Sequence, residues 1–222
     1  MKTYTLFIWD LDNTLIASSD LLWGAFAYVA KKYAGRNMTP AEIVSMYGPP
    51  EDSVVEKLAG ALQKEDALAD FYRFYQDNHD HLVQLFPGIL EIIYLLREKG
   101  ITQTLFTSKN RFSAEITLKK LGIREYFDVV ICGDEVVYPK PFPDGVHSII
   151  HRTKVHPDEI LYLGDSPLDK EAAQRAGVDF AYVLWDSFHR DTIEKNEARY
   201  VFHTVGEFRE WITQMFALVD NE

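Results

Sequence analysis

Short apolar runs recur along the chain, and each is closed by a polar cluster. They are Leu6–Trp9, Ile101–Phe106, Val129–Cys132, Ile160–Leu163 and Phe180–Leu184. Such runs, bounded by polar residues, fit buried strands. Between them the apolar positions fall at helical spacing. Ile89, Ile92, Ile93 and Leu96 precede Gly100, Ile116 and Leu121 precede Gly122, and Leu168, Ala172, Ala173 and Ala176 precede Gly177. Glycine just past a helix is a stop signal. Val146, Ile149 and Ile150 follow Pro143, which can start a helix. Strands alternating with helices predict an α/β fold, a three-layer Rossmann-like parallel sheet core with helices on both faces.

From about Ala17 to Leu85 the alternation stops and the pattern becomes all-helical. Leu21, Leu22, Ala25, Phe26, Val29 and Ala30 mark one amphipathic helix; Leu68, Phe71, Tyr72 and Tyr75 mark another. Thr39-Pro40-Ala41-Glu42 reads as a capping box with proline at the first helical position. The expected division is a discontinuous core, residues 1–16 and 85–222, with a helical cap inserted over 17–84.

Composition narrows the class. The chain has 222 residues, 47% of them apolar, enough for a core domain with an insertion. Its formal net charge is −11 and it has no block of Lys and Arg, which argues against nucleic acid as a partner. Cys132 is the only cysteine, so no disulfide framework forms within the chain. The longest apolar segment, Leu21–Ala30, is far short of the ~20 residues of a membrane span. Asp10 and Asp12 interrupt the N-terminal apolar run, which does not fit a signal peptide. A soluble, cytoplasmic protein with no membrane partner is expected.

The polar clusters supply the candidate chemistry. Asp10 and Asp12 leave the first strand with one residue between them. The second strand ends in Thr107-Ser108-Lys109-Asn110. Tyr138-Pro139-Lys140-Pro141 follows the third, and Gly164-Asp165-Ser166-Pro167-Leu168-Asp169 closes the fourth. In a parallel sheet these ends share one edge, where ligands bind. Carboxylates, hydroxyls and ammonium groups together are what phosphoryl transfer requires. One carboxylate attacks phosphorus, a second moves protons, Mg²⁺ takes carboxylate and phosphate oxygens, and lysine and hydroxyl donors balance the phosphoryl charge. Taken singly, each residue has a plainer reading. Thr14 and Thr107 can satisfy backbone, Lys140 can be a solvated loop lysine, and Ser166 and Asp169 can form a capping box. The seven histidines show no metal-ligand spacing.

In this order the motifs resemble the haloacid dehalogenase superfamily, specifically its phosphoglycolate phosphatase-like hydrolases with a helical cap after the first strand. Asp10-Leu11-Asp12-Asn13-Thr14 matches the first motif, DxDxT. Thr107 matches the second, Lys140 with Pro141 and Pro143 the third, and Gly164-Asp165-Ser166-x-x-Asp169 the fourth. The resemblance implies a Mg²⁺-dependent phosphatase that works through an aspartyl-phosphate. By it, Asp10 is nucleophile and metal ligand. Asp12 is the general acid/base, with its backbone carbonyl on the metal. Thr107 and Ser108 hold the phosphoryl group, and Lys140 pairs with nucleophile and phosphoryl charge. Asp165 ligates the metal, and Asp169 ligates it less directly or orients a ligand. The dehalogenases that this chain resembles lack a carboxylate at the Asp12 position, so Asp12 favours phosphate chemistry. Two departures stand out: Asn13 where many members have Gly, and Ala17-Ser18 where many have Asp-Ser.

A helical cap beside such a site predicts closure over a small phosphate ester. Met46-Tyr47-Gly48-Pro49-Pro50-Glu51 is the candidate specificity loop, with Tyr47 a candidate substrate contact. Lys31, Lys32, Arg36, Lys57 and Lys64 are cap cations within possible reach of a second anionic group, although a solvated helix face explains each of them. Pyrophosphatase activity, a β-phosphoglucomutase-like mutase and phosphonoacetaldehyde hydrolysis through Lys31, Lys32 or Lys57 stand as alternatives within the superfamily. A non-catalytic binding protein is the alternative of another class; intact Asp10, Asp12, Lys140 and Asp165 argue against it.

Overall fold

The computed structural model describes residues 2–193 and 199–219. Its strands are β1 (Leu6–Trp9), β2 (Ile16–Ala17), β3 (Gln84–Leu85), β4 (Thr102–Phe106), β5 (Val129–Ile131), β6 (Ile160–Gly164), β7 (Asp179–Val183) and β8 (Tyr200–Phe202). Its α-helices are α1 (Ser19–Ala34), α2 (Pro40–Val44), α3 (Glu51–Ala59), α4 (Lys64–Leu82), α5 (Ile89–Glu98), α6 (Arg111–Lys120), α7 (Asp144–Thr153), α8 (Pro167–Ala176), α9 (Arg190–Ile193) and α10 (Val205–Val219). Six strands form one parallel sheet in the order β5-β4-β1-β6-β7-β8.

β1 lies inside the sheet, with Leu6 opposite Thr102 on one side and Ile160 on the other. The chain order runs outward from β1 to β5, then crosses to β6. The C-terminal ends of β1 and β6 therefore flank the switch point, where open sheets bind ligands. Both faces of β1 are buried. Phe7 and Trp9 join a core that includes Phe208 of α10, with Trp9 and Phe208 edge-to-face at 5.6 Å. Leu6 and Ile8 turn the other way, onto Phe106, Val146, Ile149 and Tyr162.

The helical insertion leaves the core through β2 and returns through β3, and these two strands pair antiparallel. Between them lie α1 to α4, whose apolar faces meet in one core. Phe26 and Phe71 are 4.9 Å apart there. The capping box of α2 forms as expected: Glu42 N–H donates to Thr39 Oγ1 at 3.3 Å, and Thr39 N–H to Glu42 Oε2 at 2.8 Å.

Three features depart from the sequence reading. β8 was not expected, because Tyr200–Phe202 is only three residues long. The two-residue strands β2 and β3 carry no periodic signal either. Expected strand ends shift by a residue, and Cys132 lies buried just beyond β5 rather than in it. Among the described residues no helix is long and apolar enough to cross a membrane.

Candidate functional site

Asp10 extends the β1 ladder, its N–H donating to the Leu163 carbonyl at 2.9 Å. The chain then turns tightly: Leu11 O accepts from Leu15 N–H at 2.9 Å and Ile16 N–H at 3.2 Å, and Asn13 N–H donates to Ile16 O at 2.9 Å. Asn13 takes a left-handed φ of 59°, which Asn tolerates better than most residues. The turn carries Asp12 into the cavity with Asp10 and delivers the chain to β2. Ser18 Oγ donates to Asp12 Oδ1, so the residue that follows the Ala17 departure still holds the second carboxylate.

Lys140 comes from the loop between β5 and α7 and is buried between two carboxylates. Its Nζ is 2.7 Å from Asp10 Oδ1 and 2.6 Å from Asp169 Oδ1. Asp169 Oδ1 also accepts from the Tyr162 hydroxyl at 2.8 Å, and Oδ2 accepts from Ser166 N–H at 3.1 Å and Ser166 Oγ at 2.5 Å. Asp169 N–H returns a bond to Ser166 Oγ at 3.3 Å, completing the capping box that opens α8. Asp169 thus caps its helix and, in a contact the sequence reading did not assign, holds the site lysine. Gly164 makes room for it, since a Cβ there would lie 2.5 Å from the Asp169 Cβ.

Asp10, Asp165 and Asp169 are all buried, and their carboxylate oxygens lie within 4.8 Å of one another. Burial pushes the Asp10 carboxyl up to about 7; Lys140 pulls it down and Asp169 pushes it up. Burial, then Asp169 and Asp10, hold Asp165 well above the carboxylate range. Burial disfavours the Lys140 ammonium, but Asp10 and Asp169 outweigh it and hold the pKa at about 12. Crowded carboxylates with one ammonium between them fit a small divalent cation. An all-oxygen donor set fits Mg²⁺ better than softer metals. Asp165 and Asp10 have oxygens to give such an ion, whereas those of Asp169 are already engaged.

Thr107 follows β4, with its N–H donating to Ile131 O at 3.1 Å and its Oγ1 accepting from Lys109 N–H at 3.2 Å. Thr107 and Ser108 line the same cavity of about 510 Å³ as Asp10, Asp12, Lys140 and Asp165. Gly133 lets the loop after β5 pass beneath them, because a Cβ there would meet Ser108 O at 2.4 Å.

Lys109 is the residue that the sequence reading quoted but did not assign. It is buried, with Nζ 3.2 Å from Glu51 Oε1, 3.4 Å from Asp12 Oδ1 and 4.6 Å from the Tyr75 ring centroid. Glu51 is the first residue of α3 in the helical insertion, not the last residue of a loop. Its Oε2 accepts from Ser113 Oγ at 2.5 Å and Asn110 N–H at 3.4 Å, at the start of α6. The only signal for Lys109 was its place in a strand-end cluster; its partner is 58 residues away. Tyr47 also lines the cavity, and its hydroxyl has no hydrogen-bond partner of normal geometry. None of Lys31, Lys32, Arg36, Lys57 and Lys64 lines it. Lys32 pairs with Asp70, Arg36 with Glu42, and Lys64 with Asp52 and Glu56.

Comparison with known proteins agrees with this geometry. Pyrophosphatase PpaX of Oceanobacillus iheyensis is 30% identical over 195 residues, covering 84% of this chain and 90% of that protein. The solved structure of a predicted phosphoglycolate phosphatase from Haemophilus somnus superposes with a TM-score of 0.85 at 19% identity, covering 96% of this chain and 99% of that one. CbbY from Rhodobacter sphaeroides, solved with phosphate, gives 0.79 at 21% identity, covering 92% and 96%. Residues 7–183, from the first core strand to the end of β7, match the model of the haloacid dehalogenase-like hydrolases, and the chain belongs to that family.

Proposed function

We propose that this hydrolase is a Mg²⁺-dependent phosphomonoesterase that cleaves a small phosphorylated metabolite through a phosphoaspartate on Asp10. The observation that carries the reading is the set of groups around Asp10. Its carboxylate is fixed by Lys140 and faces one cavity with Asp12, Thr107, Ser108 and Asp165. The relatives named pyrophosphatase and phosphoglycolate phosphatase support phosphate as the group transferred.

Asp10 attacks phosphorus as the bond to the leaving oxygen breaks, and Asp12 gives that oxygen its proton. Asp12, now a carboxylate, takes a proton from water; the water oxygen attacks phosphorus and the bond to Asp10 breaks. Inorganic phosphate leaves and Asp10 is restored. Thr107 and Ser108 donate to the phosphoryl oxygens, and Lys140 balances their charge while keeping Asp10 oriented. The carboxylates of Asp10 and Asp165 and the backbone carbonyl of Asp12 would hold the Mg²⁺. When bound, it neutralises the carboxylate cluster and polarises the phosphoryl group. Asp169 serves this arrangement by fixing Lys140.

The test is phosphate release from a panel of phosphate esters and pyrophosphate, with Mg²⁺ or EDTA, for wild type and Asp10→Asn. Metal-dependent release abolished by Asp10→Asn is expected. Release that survives the substitution, or isomerisation of sugar phosphates without release, would overturn the reading.

A further inference from the structure

We propose that the alcohol leaving the substrate is neutral and largely apolar rather than a second anion. This rests on the phosphatase reading above and narrows it. The cavity has two unlike sides. The strand ends supply the carboxylates and lysines, while the opposite wall is built from Leu22, Phe26, Val44, Val54, Leu168 and Phe188. Except for Leu168 and Phe188, that wall comes from the helical insertion, where the leaving group has to lie.

Each lysine at the cavity is already paired. Five carboxylates line the cavity: Asp10, Asp12, Glu51, Asp165 and Asp169. Among the described residues its lysines are Lys109 and Lys140, and His189 sits at the exposed rim. Lys140 is bound by Asp10 and Asp169, and Lys109 by Glu51 and Asp12. If Glu51 swung away, Asn110 N–H would lose its side-chain acceptor, Ser113 Oγ would keep only Asn110 O, and Lys109 would keep only Asp12. A carboxylate or second phosphate on the leaving group would therefore meet Glu51 and Asp12 with no unpaired lysine beside it, only His189 at the rim. Buried like charges are repelled and an unpaired buried anion is costly. A neutral group meets only the apolar wall.

The test compares two aryl phosphates of matched leaving-group basicity, 4-methylphenyl phosphate and 4-(carboxymethyl)phenyl phosphate. Phosphoglycolate and pyrophosphate are measured beside them. The neutral ester is expected to lead in kcat/KM by at least about tenfold. In Glu51→Gln, which removes one of the two carboxylates that hold Lys109 yet keeps a side chain of the same shape, the gap should narrow by about tenfold. Equal or faster turnover of the carboxylated ester, phosphoglycolate or pyrophosphate by wild type overturns the proposal, as does an unchanged ratio in Glu51→Gln. The matching 4-methylbenzyl and 4-(carboxymethyl)benzyl phosphonates, titrated into wild type by calorimetry, apply the same criterion without turnover. Release that ignores EDTA and Asp10→Asn would instead sink the phosphatase reading itself.

Discussion

Asp169 grips Lys140 at 2.6 Å on the side away from Asp10, which the same ammonium meets at 2.7 Å. The lysine is thus stretched between a carboxylate facing the cavity and one fastened to the start of α8. Its ammonium also lies over aromatic rings, with Nζ 4.9 Å from the Phe106 ring centroid and 5.6 Å from that of Tyr162. The position of the Asp10 carboxylate is in this way referred back to a helix N-terminus.

Asp169→Asn should uncouple the two. The amide keeps the shape but cannot accept from Lys140, Tyr162 and Ser166 together. A fall in kcat of roughly 10–100-fold is expected, with KM little changed. Steady-state kinetics with the thermal midpoint as control would check it; an unaltered kcat would mean that Asp169 only caps α8.

Gly133→Ala should disturb the loop of Thr107 and Ser108 from behind. The new methyl would sit 2.4 Å from Ser108 O, a backbone atom that cannot step aside alone. A stability loss of about 1–3 kcal/mol and weakened turnover are expected. Gly206→Ala in α10 is the control, because a Cβ there comes no closer than 3.7 Å to Thr204 Oγ1. Denaturant unfolding should separate the two variants.

His79 should make stability depend on pH. It lies buried on α4, with Nε2 3.2 Å from Thr117 Oγ1 of α6. Burial lowers its pKa, against the pull of Asp80. The unfolded chain therefore takes up this proton at a higher pH than the folded one. Stability linked to His79 is complete above about pH 6.5 and falls below it, with a slope approaching about 1.4 kcal/mol per pH unit. Wild type minus His79→Gln, followed by urea unfolding from pH 8 to pH 5, should show that slope. A flat difference would contradict it.

The sequence made much of this site legible because its residues follow buried strands. Asp10, Thr107 and Asp165 come directly after β1, β4 and β6, where an apolar run ends and a parallel sheet gathers its ends. Lys140 was legible only through its motif, since nothing local separates it from a solvated lysine. The Lys109–Glu51 pair was not legible: each partner lies in a separate domain of the expected division, and only folding brings them to 3.2 Å. Asp169 offered a helix-cap reading and a metal reading; the fold forms the cap, and the bonds to Lys140 and Tyr162 depend on packing that no local pattern announces. The cap cations keep the solvated-face explanation, since none of them lines the cavity, and charge type alone says nothing about which helix face a side chain occupies.

The ribbon of β2 and β3 has one more consequence. Ala17 lies opposite Gln84, so the chain leaves the core and re-enters it at neighbouring points. A segment whose ends already touch carries a closure cost that grows only slowly with its length. The helical insertion can therefore change in length at small cost, but it is not independent of the strand ends: an exchange that loses Glu51 leaves Lys109 to Asp12 alone.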